Sequence, residues 1–482
     1  MPEAVLESPL PSSFGSGTET ETESIDEGGK EARDVPRPSI EAATVADPMG
    51  PSVPEEEEEE RGLLKEGRPV PSTRIGRAAG FAALGAGLLA GSASEAASRL
   101  LSRVLNSGGS DGAKSAAPAG SPVTSDANAD RLSATLCRMR GAALKMGQML
   151  SLQDESTLPP SLVRALAKAR GSAEAMPRYQ LESQLDTELG AGWRGRLVEF
   201  EDLPFAAASI GQVHRARLGE TDGQGADGIQ VAMKVQYPGV AESIDSDLNN
   251  LSMLMNISGL APPGLFLDRV IEVGRSELKA ECDYLKEADN QRRFKDLVES
   301  DEELYERDML RVPGIIEGLT TSQIITSELA PGGTIDKVAN LDQSERNRIG
   351  KAILRLTMRE LFVWRFMQTD PNWGNFLYDV GTGATTLIDF GAAREYSKSF
   401  VDGYLRIVWA NAHRDKQMLM DESHRMGFLT GQENDLMLEA HILSGFTLGE
   451  PFATDEPYDF RGSNITERIS QHSTAFLQHR LT

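Results

Sequence analysis

Three oxygen-bearing side chains at two fixed spacings constrain this chain most. Asp370 and Asn375 stand five apart in QTDPNWGNF, and Asp389 follows fourteen residues later in LIDFGAAR. The first pair lies in a Pro- and Gly-containing loop, after a helical pattern carrying Leu354, Met358, Leu361 and Phe362. Phosphoryl-transfer catalytic loops use an Asp and an Asn at this spacing: the Asp orients or deprotonates the attacking group, and the Asn oxygen binds a metal. Asp389 comes after a short apolar strand and before Phe390 and Gly391. A carboxylate there can hold Mg2+ against nucleotide phosphates, because hard cations take oxygen ligands.

Each stretch is weak alone, and the order along the chain strengthens the reading. In VAMK, the alternation of Val231, Met233 and Val235 predicts a strand with one buried face, which places Ala232 and Lys234 on the other. SELKAECDYLKEADN reads as one acidic helix in which Asp283 and Glu287 share a face at i and i+4, with Glu281 about a third of a turn away. Between the two halves, TSELAPGGT (Thr326 to Thr334) predicts a hinge whose backbone, at Glu328 and Leu329, reads an adenine. Short β-rich runs precede this hinge and mainly helical sequence follows it. The expectation is an α+β, protein-kinase-like bilobal fold with a β-rich N-lobe (201–330), a helical C-lobe (331–482) and an extra N-terminal helical extension.

Upstream of VAMK, a kinase of this kind carries a glycine-rich phosphate loop. Here the stretch is PFAAASIGQVHRA, with Ala206, Ala208, Gly211 and Val213 in the four defined places. One of three glycines remains. Cβ atoms at Ala206 and Ala208 remove the positive-φ freedom of glycine and restrict backbone approach to phosphates, while Gly211 keeps one permissive turn.

The remaining sequence divides by composition. Residues 1–60 hold 17 Asp/Glu against 3 Lys/Arg, so about 14 of the 24 net negative charges lie there, and 1–70 reads as a disordered acidic arm. No basic stripe offsets the charge, which argues against a nucleic-acid partner. Residues 71–105 are Ala/Gly-rich, uncharged from Ala78 to Ser94, with G-x-x-x-G frames at Gly76/Gly80 and Gly87/Gly91; they predict a membrane-associated helix. Residues 106–129 read as a linker and 130–200 as a helical extension, led by Leu132, Leu136, Met139, Ala143, Met146 and Leu150 at helical spacing. Cys137 and Cys282 have no partner at metal-ligand spacing. Neither a signal peptide nor an Arg-rich transit peptide is readable at Met1.

Together these residues resemble the UbiB family of atypical kinases over about 70–482. The family's K-x-G-Q matches Lys145-Met146-Gly147-Gln148, its alanine loop matches Ala206-Ala207-Ala208-Ser209, and its E-x-D matches Glu281-Cys282-Asp283. The resemblance implies that Lys145 and Gln148 lie on an extension helix folded over the active site, with Lys145 facing Glu281 and Asp283 where a protein substrate would otherwise lie. It also implies a Lys234–Glu287 pair, Asp370 as the catalytic-loop aspartate, and Asn375 and Asp389 as metal ligands. Gln368 and Thr369 stand where protein kinases put His and Arg, and no A-P-E follows Asp389, which argues against a protein-substrate platform. The chain stops at HRLT, short of where the family usually continues.

What the family implies about function is an atypical kinase or ATPase binding ATP (or ADP) and Mg2+ and supporting coenzyme Q biosynthesis at the mitochondrial inner membrane. Its expected partners are the biosynthetic proteins and membrane lipid or isoprenoid phenolic intermediates, with a homodimer left open. Two other readings stay open at this point: a nucleotide-gated scaffold and a true protein kinase.

Overall fold

The computed structural model describes residues 69–71, 73–106, 175–219, 228–258, 267–370 and 372–478, together with residues 128, 131, 133–135, 139 and 141. The N-lobe strands are β1 (Leu197–Phe200), β2 (Ala206–Ala207), β3 (Gly211–Leu218) and β4 (Gln230–Gln236). In β4 the predicted alternation holds: Val231, Met233 and Val235 are fully buried, and Ala232 and Lys234 keep partial exposure on the opposite face. Strand β5 (Leu310–Arg311) belongs to the second lobe, and β6 (Ile324–Glu328) returns to the first. The N-lobe sheet runs β1-β3-β4-β6 with β2 also paired to β3, antiparallel throughout. Its register sets Val213 opposite Lys234 and Arg215 opposite Ala232, so all four share the unburied face.

Five helices contribute to the N-lobe core: α1 (Arg74–Asn106), α2 (Arg178–Leu189), α3 (Val240–Ser258), α4 (Leu267–Glu281) and α5 (Tyr284–Glu299). The single acidic helix expected from SELKAECDYLKEADN is instead two helices, broken at Cys282 and Asp283. Asp283 has left the helical region (φ −91°, ψ 81°) and its side chain accepts from Lys286 N–H at 3.1 Å, an N-cap. The physical reason is local: a short carboxylate satisfies an orphan amide of a new helix better than it serves a helix interior. Helix α5 then joins the two cores, with Tyr284 and Ala288 in the N-lobe cluster and Phe294 and Val298 in the C-lobe cluster.

Helix α1 is fixed to the N-lobe. Phe81, Leu84 and Leu88 are buried in the same cluster as Ile244 and Leu248 of α3. Arg77 and Asp247, 1% and 0% exposed, form a buried ion pair: Nε reaches the two carboxylate oxygens at 2.9 and 2.8 Å, Nη2 contacts Oδ2, and Nη1 donates to Pro71 O at 3.0 Å. The Gly87/Gly91 frame, expected to serve close approach in lipid, receives this same chain: a Cβ on Gly91 would lie 2.3 Å from Asn128 Oδ1 and 2.4 Å from Arg131 Nη1. Among the described residues no helix is long and apolar enough to cross a membrane.

The C-lobe contains β7 (Gly333–Thr334), α6 (Gln343–Met358), β8 (Phe366–Gln368), β9 (Phe376–Tyr378), β10 (Thr385–Leu387) and β11 (Ala393–Glu395). It ends in α7 (Lys398–Ala412), α8 (Lys416–Arg425), α9 (Asp435–Gly449) and α10 (Ile465–Gln478). Helix α6 buries Ile349, Ala352 and Leu356, one step round from the face expected, and leaves Leu354 exposed. A π-helical turn, Arg359–Trp364, follows and leads into β8. Strands β9 and β10 form a hairpin with Asn375 just before it and Asp389 just after it, and β8 pairs with β11, so both chemical stretches sit at strand ends on one floor.

Candidate active site

The cleft between the lobes brings three of the expected charged groups together. Lys234 Nζ donates to Glu287 Oε1 at 2.9 Å and Oε2 at 3.1 Å, with the lysine side chain 16% and the glutamate 4% exposed. Burial works against the ammonium, but Glu287 and then Asp389 outweigh it and hold Lys234 well above its ordinary value. On Glu287 the balance differs: burial pushes its carboxyl up to about 7 against the pull of Lys234, aided by repulsion from Asp389. Glu287 is therefore the member of the pair that accepts a proton on acidification, while Lys234 keeps its charge. Gly391 marks where the lobes meet, since a Cβ there would lie 3.5 Å from Glu287 Oε2 and 3.6 Å from Asp389 Oδ1.

On the floor, Asn375 Nδ2 donates to Asp370 O at 3.2 Å, which leaves the amide oxygen for a cation. Asp389 Oδ1 accepts from Gly391 N–H at 3.1 Å. No group of three or more His, Cys, Asp or Glu among the described residues could hold a metal unaided. That composition fits Mg2+, which binds through one or two protein oxygens, keeps waters and takes the rest of its shell from phosphates. Asn375 and Asp389 would hold the ion, Lys234 would meet phosphate oxygens, and the ion's contribution when bound is neutralisation of phosphate charge.

The alanine stretch is a hairpin pinned at its tip. Ala206 pairs with Val213, and Ala208 N–H donates to Gly211 O at 2.8 Å. Ser209 O accepts from Gly141 N–H at 2.9 Å, Ile210 O accepts from Tyr237 N–H at 2.8 Å, and Ser209 Oγ donates to Glu281 Oε1 at 2.5 Å. Ile210 is fully buried. Gly211 is kept for space and not, as expected, for a permissive turn: its φ is not positive, and a Cβ would lie 2.6 Å from Val235 O and 2.9 Å from the Tyr284 hydroxyl.

At the hinge both backbone amides are already engaged. Glu328 N–H donates to Gly314 O and Leu329 N–H to Gln230 O, both at 2.9 Å, so neither amide can donate to a base. A hinge contact through these residues is confined to carbonyl oxygens. A cavity of about 240 Å³ opens here, lined by Arg215, Gln230 and Leu329 among others, next to the face that carries Val213 and Ala232.

Comparison with known proteins gives the family. The ABC1 atypical kinase-like domain matches residues 168–423. The chain belongs to the ABC1 family of atypical kinases. It is 44% identical over 361 residues to the mitochondrial atypical kinase coq-8 of Caenorhabditis elegans, covering 74% of this chain and 46% of that protein. It is 45% identical over 356 residues to mitochondrial COQ8B of Rattus norvegicus (74% and 65%) and 42% identical over 358 residues to mitochondrial COQ8 of Saccharomyces cerevisiae (74% and 69%). The chain thus spans about half to two thirds of the length of these curated relatives. The UbiB resemblance and the bilobal kinase-like fold read from the sequence both hold.

Within this ABC1 domain, Lys234, Glu287 and Asp389 converge, and Asp370 and Asn375 share one loop. Glu281 meets the alanine hairpin through Ser209, and Asp283 is an N-cap. Lys145 and Gln148 lie outside the described residues. Sequence reasoning missed three contributors: Tyr284, whose ring centroid is 5.1 Å from Lys234 Nζ; Ser209 as the tie to Glu281; and Gln368, noted as a departure but not as a contact. The only advance signal for Tyr284 was its place beside Asp283.

Proposed function

We propose that this chain is an ATP- and Mg2+-dependent atypical kinase or ATPase acting in coenzyme Q biosynthesis. The observation that carries the reading is the convergence of Lys234, Glu287 and Asp389 above the Asp370–Asn375 loop. Positioning and charge neutralisation supply most of the catalysis in phosphoryl transfer, and this set offers both. Asp370 would orient the attacking oxygen or take its proton. Either water or a small-molecule hydroxyl is the acceptor, since no A-P-E segment follows Asp389 to seat a protein substrate.

The names of the relatives, COQ8 and mitochondrial, support a role beside the coenzyme Q biosynthetic proteins in mitochondria. Hydrolysis would drive assembly of those proteins or access to isoprenoid phenolic lipid intermediates at the inner membrane. The test is nucleotide turnover by wild type and Asp370→Asn, with and without liposomes containing a phenolic lipid. Mg2+-dependent turnover that Asp370→Asn abolishes supports the reading. Turnover absent from wild type under every condition removes it, and cellular function retained by Asp370→Asn favours a nucleotide-gated scaffold.

A further inference from the structure

Asp370 and Asp389 lie on separate segments, and one side chain touches the backbone of both. Gln368, at the end of β8, is 6% exposed. Its Nε2 donates to Asp389 O at 2.8 Å, and its Oε1 accepts from Asp370 N–H at 3.3 Å. The main chain around it is fastened to the same neighbour: Gln368 pairs with Ala393, and Thr369 donates to Ala392 O through both its amide, at 3.2 Å, and its hydroxyl, at 2.8 Å. Beneath β8 lies Glu360 of the π-helical turn, 4% exposed, whose carboxyl faces the backbone N–H of Gln368.

We propose that Gln368 is a positioning residue that sets the separation and orientation of Asp370 and Asp389, and through them the metal dependence of nucleotide binding. A primary amide carries a donor and an acceptor at opposite corners of one rigid plane, and here each corner meets a different segment. Glutamate keeps the acceptor but turns a carboxylate toward the Asp389 carbonyl; methionine keeps the length and loses both bonds; asparagine is one methylene short. The inference rests on the nucleotide reading above, but its backbone half is measurable in the free protein.

The experiment compares wild type, Gln368→Met and Gln368→Glu in two assays on the full chain. In hydrogen exchange of the free protein, Gln368→Met is expected to speed exchange about tenfold in peptides covering 368–376 and 388–395, and to leave α1 and the N-lobe strands unchanged. Gln368→Glu should do so mainly in 388–395, because it still accepts from Asp370 N–H; it also serves as the readout should the methionine variant fail to fold. In ATP titrations, both variants should need about tenfold more Mg2+ for half-saturation, while affinity measured in EDTA stays within about twofold. A purely structural residue would not separate those two affinities. Unchanged exchange in both peptides, or unchanged Mg2+ dependence alongside normal ATP binding, overturns the proposal. Wild type that binds no ATP at all defeats the nucleotide reading instead, and the exchange result then decides the positioning role alone.

Discussion

Lys234 and Glu287 form a two-pronged ion pair, with Nζ 2.9 and 3.1 Å from the carboxylate oxygens. Burial, the largest influence on Glu287, raises its pKa to about 7, so acidification attacks the pair at the carboxylate. Affinity for ATP with Mg2+ should therefore fall as pH drops from 8 to 6, with a midpoint near 7. Folding stability should respond at this residue in the opposite sense: a carboxyl whose folded pKa is raised contributes stability that is present below its ordinary value of 4.5 and lost as pH rises through about 7. Glu287→Gln should bind ATP at least about tenfold more weakly and lose the pH dependence. Calorimetric titration and thermal melts across that window check both signs.

Removing one side of the Arg77–Asp247 pair leaves a buried charge with its main partner gone. Arg77→Ala and Asp247→Ala should each cost about 3–5 kcal/mol, while the double variant Arg77→Leu/Asp247→Leu recovers much of the loss, because two apolar residues need no counter-charge. Urea unfolding with a double-mutant cycle measures this. Single-variant losses below about 1 kcal/mol contradict the burial argument.

Gly211→Ala should destabilise the N-lobe by about 1–3 kcal/mol, since the new methyl meets the Val235 carbonyl of a paired strand and not merely a mobile side chain. A phosphate-cradle glycine would instead show its effect in nucleotide affinity with little change in stability. Denaturation of the free protein separates the two.

Glu360 is the second carboxyl displaced by burial, pushed up to about 8 with the Gln368 amide as the opposing influence. Its contribution to stability is complete below 4.5 and lost as pH rises through about 8. Glu360→Gln should therefore raise the melting temperature at pH 8.5–9 and flatten its rise on acidification at this site. A melting curve that falls at pH 9 in the variant contradicts that sign.

The legible part of the fold followed short-range rules. Period-two burial in β4 and the Asp370, Asn375, Asp389 spacing are properties of a few neighbouring residues, and the structure keeps them. The break at Asp283 is less legible: Asp is a favoured N-cap residue, but Lys286 stands three positions on where a capping box would place Glu or Gln, and Asp283 and Glu287 at i and i+4 suit a continuous helix as well. Other features depended on distant pairing. Arg77 meets Asp247 170 positions away, Gln368 reaches Asp389 through strand order, and the Leu329 amide is committed by the register of its neighbour. The small-residue frame of α1 showed that something packs closely on Gly91, without showing that it is Asn128 and Arg131.

The most direct test of the central claim, that the cleft is a Mg2+-dependent nucleotide site, is ATP affinity in Mg2+ and in EDTA for wild type and Asp389→Asn. The account predicts that wild type binds at least about tenfold more tightly with Mg2+ and that Asp389→Asn loses most of that difference. Wild-type affinity that is identical in Mg2+ and EDTA, or a Mg2+ effect that survives intact in Asp389→Asn, would contradict it.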